Sequence, residues 1–132
     1  MGEFLRWGQN ADGSFRSLFI PSQGGWKPDW SSLNYPGEAA SALLMLHELD
    51  PAPAWIQAAA DGIGYLVRTR EKETEIPADY WSLLATADLL PVLGECKAGV
   101  SRESLMNHAR RVCERIMREQ VRSSSNPLLE GG

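Results

Sequence analysis

The 132-residue chain is poor in the residues that most often carry chemistry, with 2 cysteines and 2 histidines. Cys96 and Cys113 have no C-x-x-C spacing, which argues against a disulfide framework and against a thiolate zinc site. They read as two unrelated, partly buried thiols. His47 and His108 are far apart and lack ligand-type neighbours, so each reads as packed or solvated rather than metal-bound. A phosphate-cradling glycine loop is also missing, and no metal or nucleotide cofactor is implied.

Positive charge is not in excess: 13 Lys and Arg stand against 17 Asp and Glu, for a net charge of −4. Proteins that work by neutralising phosphates need a basic face, so nucleic acid is not an expected partner. The arginines between Arg102 and Arg122 are interleaved with Glu103, Glu114 and Glu119, the pattern of a solvated helix face. No segment approaches the roughly twenty apolar residues of a membrane span. The stretch "GEFLRWGQN" after Met1 lacks the apolar core of a signal peptide. The expectation is a soluble chain with no membrane partner, cytoplasmic by default, whose parent's location stays open.

What the chain does have is an ordinary globular balance, 43% apolar and 23% charged, and the length of one domain. "EFLRWGQ" reads as the end of a helix (1–8), followed by a structured loop (9–34) with turn pairs at Asp12-Gly13 and Gly24-Gly25. Within that loop "SFRSLFI" fits a short strand or extended segment. From Ala39 to Leu49 apolar residues are nearly continuous, as in a helix buried on most sides, and "DPAP" ends it. "AWIQAAADGIGYLVRTREK" instead places Trp55, Ile56, Ala59, Ile63, Leu66 and Val67 on one stripe, leaving one wet face. The alternation repeats in "ADYWSLLATADLLPVL" and in the amphipathic "SRESLMNHARRVCERIMREQ", which Ser101 is placed to cap. A polar tail, 122–132, reads as flexible.

Superposing the blocks reveals a repeat. "YPGEAASALLML" lies over "IPADYWSLLATA", pairing Pro36 with Pro77, Glu38 with Asp79 and Leu43 with Leu84. The tails "FLRWGQ", "YLVRTRE" and "IMREQ" also match in character. A spacing of about fifty residues per helix pair indicates stacked helical hairpins, one at 35–71 and one at 76–121. The predicted class is all-α, with inner helices alternating with amphipathic outer ones.

This pattern resembles the (α/α) toroid of the six-hairpin glycosidase-like proteins, whose inner helices open with "YPGE"-like and "P-D-x-W"-like starts. The resemblance covers residues 4 to about 121 as repeat architecture. Against about six hairpins in that family, this chain has room for little more than two, which predicts a piece of a larger toroid. It also predicts an inner-helix flank left open, to be covered by a second copy or by the rest of a parent chain. "FLRWGQNADGSF" is similar to the "FLxxxQxxDGSW" pattern of terpene cyclase and prenyltransferase toroids, with Phe15 in place of tryptophan. In those proteins the pattern ties repeats together and does not supply catalysis.

Two readings of Glu38 and Asp79 stand side by side. With a proline opening each helix, both carboxylates fall on the third helical position, where free N–H groups and the helix dipole favour an acid by about 0.3–1 kcal/mol. Alternatively, inner-helix starts line one mouth of a toroid, and two carboxylates facing a sugar there are candidate catalysts for hydrolysis or elimination. Trp26, Trp30, Tyr35, Tyr80 and Trp81 gather around the same starts and are candidate stacking surfaces for a glycan, or loop-packing aromatics. Asp12 and Asp29 read as turn residues. The functional expectation is a glycan-binding or glycan-processing part of a toroid, set against a non-catalytic helical-repeat scaffold that self-associates or binds a protein.

Overall fold

The computed structural model describes residues 2–27, 30–120, 126 and 128. Asp29, and the tail predicted to be flexible apart from Asn126 and Leu128, lie outside the described residues. The chain is all-α with one short strand pair near its N-terminus. Helix α1 (Gly2–Trp7) leads into the loop, which holds β1 (Phe19–Ile20) and β2 (Gly25–Trp26). These pair antiparallel, Phe19 opposite Trp26 and Ile20 opposite Gly25. Then follow α2 (Tyr35–Leu49), α3 (Pro53–Arg70), α4 (Tyr80–Val92) and α5 (Arg102–Glu119). Among the described residues no helix is long and apolar enough to cross a membrane.

Local chemistry sets the helix ends. Pro53 opens α3, where its missing N–H costs nothing. The hydroxyl of Ser101 accepts from Ser104 N at 3.0 Å and caps α5. Asp79 caps α4 in the same way, accepting from Ser82 N at 3.0 Å. The two proline-containing starts are therefore not equivalent. Pro36 lies inside the first turn of α2, whereas Pro77 precedes α4, so Glu38 falls inside its helix and Asp79 at the cap. The burial of the paired leucines diverges too: Leu43 is sealed, whereas Leu84 is 41% exposed.

Helices α2 and α4 lie with their starts side by side. A Cβ added at Gly37 would sit 2.6 Å from Ser82 N and 2.6 Å from Trp81 C, so only glycine permits this approach. The glycine of "YPGE" is thus a packing residue between the two helices.

The layering differs from the expected one. Helix α3 keeps its expected wet residues Arg68 and Glu71 exposed at its C-terminal end, but Gln57 and Asp61 are half-buried and Ala58 and Ala60 join the stripe in the core. Two connecting segments cover it. On one side Gln57 brackets Lys97, accepting from its N–H at 3.0 Å and donating to its carbonyl at 3.2 Å. On the other side residues 9–15, the start of the loop, run along the helix. Helix α4, expected to be mostly buried, leaves Tyr80, Leu84, Ala87, Asp88 and Pro91 exposed along one face, because nothing among the described residues covers that flank. Burial here follows coverage by loops rather than the apolar content of the helix itself.

The "GQNADGSF" segment fastens the loop to α3. Gln9 Nε2 donates to Ala58 O at 2.8 Å and to Gly13 O at 3.0 Å. Asp12 Oδ1 accepts from the Ser14 N–H at 2.9 Å and its hydroxyl at 2.7 Å, closing an Asx turn. Those bonds, the side-chain one foremost, hold the Asp12 carboxyl below the usual range. Gly13 has a φ of 95°, and an added Cβ would strike the Asp61 carbonyl. Phe15 is buried over Gly62 and meets Tyr35 edge-on, ring centroids 6.5 Å apart.

The Gln9 amide therefore joins elements 49 residues apart. Gln9→Ala is expected to cost about 1–2 kcal/mol by removing two partly buried hydrogen bonds. Gly13→Ala is expected to cost about 1–3 kcal/mol through positive-φ strain and the carbonyl clash. Urea denaturation of each variant measures both.

Candidate functional site

The loop does not lie flat on the hairpin. Between it and the α2–α3 pair is a groove of about 710 Å³. Trp26 and Trp30 form part of one wall, Pro36, Tyr65 and Leu66 part of the other. Asn10, Ser14, Ser31 and Ser32 supply neutral hydrogen-bonding groups, and Arg16, Lys27 and Arg70 supply charge. No Asp or Glu among the described residues lines it.

The five aromatics expected at one mouth separate into three places. Trp26 lines the groove from within a cluster with Phe4, Trp7 and Phe19, at centroid distances of 5.6, 5.3 and 5.1 Å. Trp30 lines the groove and is 49% exposed. Tyr35 is half-buried against Phe15, and burial first, then the Glu38 charge, pushes its phenol up. Tyr80 and Trp81 pair with each other at 5.1 Å on the start of α4, outside the groove lining.

The two candidate carboxylates are in contrasting surroundings. Glu38 is exposed, and its side chain makes no hydrogen bond or ion pair with the described residues. Asp79 is fully buried, with 0% exposure. One of its oxygens caps α4, and the other lies 2.8 Å from Arg70 Nη2. That second contact is a close ion pair without hydrogen-bond alignment. A carboxylate sealed and paired in this way does not reach a sugar, so the expectation of two carboxylates opening together onto one mouth does not hold.

Behind Asp79 is a charged core that bridges three helices. Arg70, at the end of α3, also points Nη1 at His108 Nε2 on α5, 3.4 Å away. Arginine can only donate, so the imidazole accepts at Nε2 and carries its proton on Nδ1. That nitrogen is buried without a partner among the described residues. Burial above all, then the positive Arg70 and Arg111 against the opposing charge of Asp79, lowers the His108 pKa to about 4. Arg111 caps the end of α3 through the carbonyls of Arg70 (2.8 Å), Glu71 (3.4 Å) and Glu73. Arg115 reaches Glu75 at 3.1 Å.

Arg70, Arg16 and Lys27 were not anticipated as site residues, and neither was the Phe4–Trp7–Phe19 partnership of Trp26. Arg70 ends an amphipathic helix, where an arginine ordinarily serves the dipole in solvent, so no local signal marks it as buried. The aromatic spacing of the loop was a usable hint, since a short hairpin places Phe19 opposite Trp26. Searches of protein-family models, curated proteins and solved structures gave no match to this chain.

Two outcomes follow from the charged core. Between pH 6.5 and pH 4 the unfolded chain binds a proton at residue 108 that the native state refuses, so stability should fall as pH falls through that window, by about 3 kcal/mol in total. His108→Gln should flatten that part of a stability-against-pH curve. Arg70→Met should cost about 3–5 kcal/mol by stranding a buried carboxylate, and adding Asp79→Asn should recover part of the loss in chemical denaturation.

Proposed function

We propose that this chain is a glycan-binding unit built from two helical hairpins of an (α/α) toroid type, with the groove under the 9–34 loop as its binding site. The observation that carries this reading is the lining: the rings of Trp26 and Trp30 beside Asn10, Ser14, Ser31 and Ser32. Flat aromatic faces suit the apolar face of a sugar ring, and short polar side chains suit its hydroxyls. The volume, about 710 Å³, falls within the usual range of small-ligand sites.

Binding is favoured over hydrolysis. Glycoside cleavage asks for an acid and a base about 5–9.5 Å apart across one bond. The groove presents no such pair among the described residues, and Asp79 is committed to Arg70 and to the cap. The toroid reading draws support from the hairpin order and from Gln9, which fastens the loop to α3 as a tie between repeats would. The same motif offers no chemistry that would favour a terpene cyclase.

A second reading, a scaffold that associates through the open flank, draws on the exposed face of α4. Tyr80 and Leu84 there are 49% and 41% exposed. On a glycan array the chain should retain a defined set of saccharides, and Trp30→Ala should lose them. Glu38→Gln should leave both the binding and, within about 1 kcal/mol, the stability unchanged. An array on which nothing is retained, together with a dimer in sedimentation that Leu84→Arg dissolves, would favour the scaffold.

A further inference from the structure

The charges in the groove are segregated. In a chain with more acidic than basic residues, the described groove lining contains three cations and no carboxylate. The three are not alike. Arg70 is neutralised by Asp79 at 2.8 Å, and elsewhere Arg6 and Arg115 have carboxylate partners at 3.2 and 2.6 Å. Arg16 has only a neutral contact, donating Nε to Asn10 Oδ1 at 2.8 Å. Lys27 has only the Gln23 carbonyl, at 3.4 Å. Neither forms an ion pair among the described residues.

Both residues line the groove, and their side-chain contacts leave their charge unneutralised. Arg16 is held from behind by Asn10, itself bonded to Ser14 Oγ at 2.9 Å, which leaves the terminal guanidinium nitrogens uncommitted. The guanidinium fork matches a carboxylate with two parallel N–H bonds. Lys27 comes just after the strand residue Trp26, and both line the groove, with the lysine ammonium resting on the Gln23 carbonyl by a single long contact. Neutral sugars are commonly gripped by carboxylates that accept from several hydroxyls. A groove whose described lining holds unmatched donors and no carboxylate acceptor lacks that grip among those residues and favours a ligand that brings its own negative charge.

Resting on the glycan-binding reading above, we propose that the groove selects an acidic saccharide, one whose rings carry carboxylates. A uronate ring stacks on Trp26 and Trp30, and its carboxylate pairs with Arg16 and Lys27. Arg70, already matched by Asp79, shapes the floor and contributes no free charge.

The test is calorimetric titration of the full chain with oligomers of galacturonate, glucuronate and mannuronate, each beside its methyl ester. Esterification keeps the rings and removes the charge. The acid form of at least one oligomer should bind about tenfold or more tighter than its ester, and its affinity should fall with added salt. Arg16→Gln and Lys27→Gln should each weaken the acid form severalfold and together erase the acid–ester difference. Trp30→Ala should weaken both forms alike. Arg16 is exposed, so its variants should keep the wild-type melting curve, which circular dichroism checks.

Equal affinity for acid and ester, or no loss on removing both cations, would overturn the acidic inference and leave the glycan reading standing. Tighter binding of a sulfated oligomer than of any uronate would overturn the carboxylate assignment. No binding of any saccharide, charged or neutral, would overturn both. Binding of polyacrylate as tightly as uronate would overturn the sugar itself in favour of a bare polyanion site.

Discussion

The pair Arg70–Asp79 is the contact on which much of this structure depends. It joins the end of α3 to the start of α4 inside the core, and Arg70 simultaneously faces His108 on α5 and the floor of the groove. Desolvating two charges is expensive, and their attraction offsets that cost only when both keep good company. Here Asp79 also caps a helix, and the end of α3 is held by the guanidinium of Arg111. Ion pair, cap and helix terminus therefore support one another. The same arrangement explains why His108 stays neutral, since it is buried and the positive charges of Arg70 and Arg111 oppose a third cation against the single anion of Asp79.

This commitment also shapes function. An aspartate used to seal the core is withdrawn from the surface, and the cation that matches it carries no spare charge into the groove. Among the described groove residues the unmatched charge belongs instead to the loop, at Arg16 and Lys27. A division follows between a helical core whose buried charges are paired and a loop that presents aromatic side chains and positive charge to the groove. Gln9, the Asx turn at Asp12 and the buried ring of Phe15 hold the start of that loop against α3.

The helical class was legible in the sequence, as were the proline-bearing first turn of α2, the Ser101 cap and the turn glycines. Each of those signals depends on residues a few positions apart. The supposed equivalence of Glu38 and Asp79 was not reliable, because a proline two residues before an acid does not say on which side of the helix boundary the proline falls. One turn of displacement separates an exposed glutamate from a buried capping aspartate. The candidate site was legible in part: Trp26 and Trp30 belong to the groove, while Tyr80 and Trp81 stand apart on α4.

The sequence by itself determined the helical class and several helix caps and turns, because these are set by φ restrictions, missing N–H groups and apolar periodicity within a single stretch. Only the tertiary structure decided which helix is covered, which arginine is buried and which cations stay unmatched. Helix α3 keeps its wet face only toward its C-terminal end, because segments distant in the chain lie over the rest, while the more apolar α4 kept an open flank. Charge matching is likewise a property of neighbours in space: Arg70 meets a residue 9 positions away and another 38 away, and no local pattern encodes either meeting.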